Sequence, residues 1–168
     1  MGQKQEDFVR SFCDAWGDGS DASRPDVEKI LSLMAEDAEW QLWVPGGPVI
    51  KGKAALREEI QRQMGFATNN KCNEVNIVSN DRMVMQERSD TAIMLGRPCP
   101  HQMVAIYEFN DEGLISRWRE YLDMADLTRK MGVDELFAAE GAASTWSGQG
   151  LEISKRTIDG RSWHDPRL

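Results

Sequence analysis

The stretch Met83–Asp123, MVMQERSDTAIMLGRPCPHQMVAIYEFNDEGLISRWREYLD, decides the fold. It holds three runs with strand-like alternation, Met83–Met94, His101–Phe109 and Leu114–Leu122. Gly96-Arg97-Pro98 and Asn110-Asp111-Glu112-Gly113 separate them at hairpin spacing. In the first run a period of two puts Val84, Arg88, Asp90 and Ala92 on one face and Ser89 on the other. An Arg and an Asp on a face that also carries small apolar residues are costly unless they pair or do chemistry. Asp123 closes the third run just before a helical segment. It is either a helix cap or a second carboxylate brought beside Arg88.

Upstream, Cys72–Val78 adds a fourth strand to this meander, after the turn Ser79-Asn80-Asp81 is crossed in reverse. Glu6–Trp16 reads as a helix with Phe8, Val9, Phe12, Cys13 and Trp16 on one side. A second helix is expected from about Pro25, with Ser23 as its cap and Val27, Ile30, Leu31 and Met34 as its apolar stripe. Ala38–Val44 alternates as a strand, with Trp40 and Leu42 on one face and Trp43 on the other. Lys51-Gly52 leads into a third helix carrying Leu56, Ile60 and Met64, and Gly65 stops it. Met124–Met131 and Val133–Ala143 read as short helices. The expected class is α+β: a strongly curved antiparallel sheet with the N-terminal helices covering one face. The domain is expected to span 1–144, followed by a polar tail over 145–168.

The 168 residues suffice for one domain with a sizeable core. Twenty-eight acidic residues against twenty basic ones give a net charge of −8, without a basic block. Nucleic acid and anionic membrane surfaces are therefore not expected partners. No apolar run approaches the ~18 residues of a membrane span, and the polar, charged Met1–Arg10 gives no expectation of secretion. Three widely spaced cysteines form no zinc pattern and fit a reducing, cytoplasmic setting. Six Trp and nine Met are rich for a chain of this size and suit a pocket for an apolar or aromatic ligand.

Four segments in order carry a resemblance: Ala35-Glu36-Asp37-Ala38-Glu39-Trp40, Lys51-Gly52-Lys53-Ala54-Ala55, Glu87-Arg88-Ser89-Asp90 and Trp118-Arg119-Glu120-Tyr121-Leu122-Asp123. Together, over about residues 5 to 130, they resemble the limonene-1,2-epoxide hydrolase family of the nuclear transport factor 2-like superfamily. The resemblance implies a cone-shaped fold with an internal apolar pocket, no cofactor and no metal. It implies Asp123 as the base that deprotonates a water, Asp90 as the acid that protonates the epoxide oxygen, and Arg88 as the bridge. It also implies a homodimer formed through the sheets.

Two departures from the family pattern bear on the chemistry. Trp40 and Leu42 stand where the family holds its water with a Tyr and an Asn, so one N–H donor remains of that clamp. His101 stands where the family has an apolar pocket residue, and is an additional acid–base group if it faces the pocket. By the same alignment Ala92, Met103, Tyr107 and Tyr121 join Trp40 and Leu42 in lining the pocket. The expected activity is cofactor-independent acid–base chemistry on a bulky apolar or aromatic molecule. Epoxide hydrolysis to a diol comes first. A lyase, dehydratase or isomerase acting on an aromatic alcohol or diol is the alternative, and a non-catalytic binding module the third reading.

Overall fold

A computed structural model describes residues 2–133. The segment 134–168, with the polar tail and nearly all of the helix expected at Val133–Ala143, lies outside the described residues. Among the described residues four helices and eight strands follow one another as α1 (Gln3–Asp14), α2 (Val27–Ser32), β1 (Met34–Val44), β2 (Val49–Lys51), α3 (Lys53–Met64), β3 (Ala67–Lys71), β4 (Glu74–Ser79), β5 (Met83–Met94), β6 (Arg97–Pro98), β7 (His101–Phe109), β8 (Ile115–Leu122) and α4 (Met124–Met131). None of the described helices is long and apolar enough to cross a membrane.

The strands form one curled mixed sheet in the order β2-β1-β8-β7-β5-β3, with β4 and β6 also on β5. The expected meander of β4, β5, β7 and β8 is present, antiparallel throughout. Two features were not expected. Strand β3 pairs with the second half of β5 while β4 pairs with its first half. One long strand thus serves two partners, and the sheet bends between them. Strand β1 lies parallel to β8, with Trp40 opposite Trp118. A parallel pair needs a long crossover, and the chain from 45 to 114 supplies it.

Helix α2 begins later than expected because Asp26, not Ser23, caps it: the Asp26 carboxylate accepts the Lys29 N–H at 2.9 Å. Ser23 instead accepts the Asp18 N–H at 3.0 Å, and Met34 opens β1. Gly52 precedes α3 at φ +83°, a conformation in which a side chain would be strained.

Helix α1 and the turn after it lay Val9, Phe12 and Trp16 on the inner face of the sheet. Phe12 meets Tyr107 and Trp118 edge-on, with ring centroids 5.7 and 5.1 Å apart. A smaller cluster of Cys99, Leu127, Met131 and Val133 packs α4 against the far end, together with Phe66, Met94, Leu122 and Met124. The inner face between the two clusters is where the buried charges sit. On the outer face Val78 and Met85 pair side by side and are exposed.

Candidate active site

Strand β5 alternates as its sequence requires: Val84, Gln86, Arg88, Asp90 and Ala92 are buried and point inward. Arg88 is 3% exposed. Its Nη2 lies 2.9 Å from Asp90 Oδ2 and 2.9 Å from Glu120 Oε1. Nη2 also lies 2.6 Å from Met103 Sδ, and Nη1 donates to the Tyr107 hydroxyl at 2.5 Å. One guanidinium is therefore held between two carboxylates from different strands, with a thioether and a phenol behind it.

The register explains how they meet. Strand β7 lies between β5 and β8, and its Ala105 is opposite Gln86 on one side and Glu120 on the other. Ala105 is fully buried and too small to fill the space over β7. Arg88, one step along from Gln86, reaches across that gap to Glu120. A larger residue at 105 closes this path by simple volume.

The second carboxylate is thus Glu120 and not Asp123. Trp118, Glu120 and Leu122 of β8 face the cavity, while Arg119 pairs outward with Glu108 and Tyr121 is 41% exposed. Asp123 falls after the strand has ended. It is exposed, and its carboxylate caps α4 by accepting the Asp126 N–H at 2.9 Å. The base role expected for Asp123 and the lining role expected for Tyr121 are both corrected by this geometry: their side chains do not reach the cavity that Arg88 and Asp90 share.

The other expected residues divide into two groups. Trp40, Leu42, Ala92 and His101 line the cavity with Arg88, Asp90 and Glu120. Met103 and Tyr107 are buried behind Arg88 and hold it, so they support the site instead of forming its wall. Trp43, expected on the opposite face from Trp40, also lines the cavity. The register of β1 against β8 shifts between Gln41 and Val44, which breaks the alternation there.

Four tryptophans and Phe66 give the wall an aromatic side. Trp40 stacks on Trp118 at 4.3 Å, and Trp16 packs edge-on against both at 5.7 Å. Asn70, Lys71, Arg62 and Gln63 add polar groups to the lining. Within this setting the Trp40 indole N–H donates to Glu120 Oε2 at 3.4 Å, and Asp90 accepts the Asn73 backbone N–H at 3.2 Å.

Burial pushes the Glu120 carboxyl up from 4.5 to about 7. Arg88 and the Trp40 N–H pull against this, and the charge of Asp90 reinforces it. Glu120 therefore keeps its proton up to about neutral pH. Because the folded state raises this group, its contribution to stability is complete below about 4.5 and is lost as pH rises through about 7.

His101 sits directly opposite Asp90 in the β5–β7 register. Its Nδ1 lies 2.8 Å from the Cys99 carbonyl oxygen. A carbonyl only accepts, so Nδ1 carries the proton and the neutral ring keeps its lone pair on Nε2.

The fold has relatives. An LEH-like epoxide hydrolase from M. tuberculosis is 20% identical, with 82% of this chain and 97% of that chain covered at a TM-score of 0.64. SalBIII, an epoxide hydrolase/cyclase-like enzyme in pyran ring formation in the polyether salinomycin, is 19% identical over 74% of this chain and 94% of its own, at 0.63. A putative polyketide cyclase from Pseudomonas putida KT2440 is 16% identical over 75% and 96%, at 0.64. At such identities these likenesses establish the architecture only. No curated protein matches the chain in sequence. The family model of the SnoaL-like domain matches residues 9–118, well over half of the chain, and with the cone-like fold and its enclosed polar centre now described, the chain belongs to the SnoaL-like family.

Proposed function

We propose that the chain is a cofactor-independent acid–base enzyme that opens an epoxide on a bulky apolar substrate with water. The observation that carries this reading is one guanidinium 2.9 Å from each of two carboxylates inside an aromatic cavity. Ring opening needs a proton for the leaving oxygen and a base for the attacking water. Protonated Glu120 donates to the epoxide oxygen as the carbon–oxygen bond breaks. Asp90, paired with Arg88 and ionised, accepts the proton that the water loses as its oxygen bonds to carbon. The carboxyl pair ends with one proton, as it began, but on the other member, and exchange through water resets it. Arg88 keeps its charge beside whichever carboxylate is ionised, so neither form of the pair is left uncompensated. The epoxide hydrolase names of two structural neighbours agree with this assignment.

A second reading is favoured by the wall around Glu120. Leu42 and the Trp40–Trp118 stack flank it, and Trp40 supplies a single N–H. That surface suits a lyase, dehydratase or isomerase that uses no bound water: Glu120 protonates a departing hydroxyl and Asp90 takes a proton from the substrate.

Oxygen-18 water separates the two. Incubation with styrene-type and terpene epoxides is expected to give diols carrying one solvent oxygen. The rate is expected to fall as pH rises through about 7, because Glu120 must hold its proton. Failure of the whole epoxide panel, with water released from aryl diols and no solvent oxygen in product, replaces the first reading by the second.

A further inference from the structure

Two cysteines that this chemistry does not use lie against Arg88. Cys13 of α1 is buried, with Sγ 3.7 Å from Arg88 Nη1, 3.8 Å from the Tyr107 hydroxyl and 3.3 Å from Gln86 Oε1. Cys72, in the link between β3 and β4, is half-buried, lines the cavity with Arg88 and packs against the core cluster that holds Cys13. Neither is in a disulfide. The third thiol, Cys99, is fully buried in the cluster under α4.

We propose that Cys13 and Cys72 form a reactive thiol pair in the cavity wall, which takes apolar soft electrophiles, Michael acceptors above all, into a covalent bond at Cys72. This goes beyond the acid–base reading and uses neither carboxylate. A thiolate is the nucleophile, and it persists in a buried place only where donors and positive charge surround it. Arg88, the Tyr107 hydroxyl and the partner thiol supply them here. Asp90 and Glu120 face the same cation and oppose them.

The partner thiol is the main cause that brings the first proton of the pair down to about 7, with Arg88 helping and burial resisting. The second proton is held well above the ordinary thiol range, by its partner thiol and by burial. Such a pair shares one negative charge. Transfer of the proton from Cys72 to Cys13 leaves the thiolate on the sulfur that faces the cavity. Cys13, shielded behind it, is the supporting partner.

The bond-making step needs no oxidant. The Cys72 sulfur attacks the terminal carbon of an activated double bond, the π electrons move to the conjugated carbonyl oxygen, and the resulting enolate takes a proton at carbon from solvent. The aromatic wall of Trp16, Trp40, Trp43 and Phe66 selects an apolar ring on the electrophile.

N-phenylmaleimide tests this on the full chain, read by intact mass and peptide mapping. The expected result is a single adduct at Cys72, formed at pH 7 about tenfold or more faster than any at Cys99, with a rate that falls as pH drops below about 7. Cys72→Ser is expected to abolish that adduct. Cys13→Ser, which keeps a small polar group in the same space, is expected to move the pH dependence of Cys72 labelling up toward the ordinary thiol value of about 8.5. A first adduct at Cys99, no adduct at all, or a Cys72 pH profile unchanged in Cys13→Ser overturns the proposal. Labelling needs no turnover, so it stands or falls apart from the epoxide reading.

Discussion

Glu120→Gln and Asp90→Asn are each expected to lower kcat on the proposed epoxide substrate by about 10²-fold or more, and Asp123→Ala to leave it within about twofold. The first two substitutions keep shape and remove the ability to give or take a proton. Each acts on a carboxyl 2.9 Å from Arg88 inside the cavity. The third removes an exposed helix cap, so its cost is one of stability, about 1 kcal/mol, and thermal unfolding reads it separately from rate. Steady-state kinetics on the three purified variants decides the matter. Near-normal turnover by Glu120→Gln, or a collapse of turnover in Asp123→Ala without unfolding, contradicts the assignment of Glu120.

Arg88→Met carries the largest effect on stability. Its removal leaves Asp90 and Glu120 buried side by side without their cation, and the Tyr107 hydroxyl without its donor. Breaking a buried pair from one side costs about 3–5 kcal/mol, because the remaining charge is left uncompensated. The loss is expected to be larger at pH 8 than at pH 5. Arg88 opposes the upward shift of Glu120, so without it the folded state raises that carboxyl further, and stability is retained while it is protonated and is lost as pH rises. Restoring neutrality in the triple variant Arg88→Met, Asp90→Asn, Glu120→Gln is expected to recover part of the loss. Urea unfolding at the two pH values checks this, and a loss under about 1 kcal/mol that is independent of pH contradicts it.

Much of this site was legible in the residues. Alternation along Met83–Met94 placed Arg88 and Asp90 together on the buried face, because a strand's period of two leaves no freedom once Val84 and Ala92 are inside. The strand that begins at His101 was expected beside Arg88-Ser89-Asp90, and it does pair with β5, His101 falling opposite Asp90. Parity put Trp40 with Leu42 and Ala92 with Arg88, the family resemblance implied that these faces line the pocket, and all three residues line the cavity.

Glu120 was missed although its signal was present. Counting by two back from Leu122, which joins the cavity wall, gives Glu120 and Trp118. Counting from Asp123 inverts every side chain, and Asp123 itself belongs to the helix start. A capping Asp and a catalytic Asp share the same local pattern at a strand–helix junction, so sequence did not separate them. Trp43 escaped because a register shift in β1 breaks alternation, and bulges leave little trace in composition. The parallel β1–β8 pair and the β3 strand depend on long-range docking, which local periodicity does not encode.

The proposed chemistry needs the Glu120 carboxyl, buried beside a cation and a second carboxylate, to hold its proton up to neutral pH. Carbon-13 NMR of glutamate side-chain carboxyls across a pH titration reads this. One resonance is expected to titrate at about 7, absent from Glu120→Gln and present in Asp123→Ala. A wild-type spectrum in which every glutamate titrates in the ordinary range near 4.3 contradicts it.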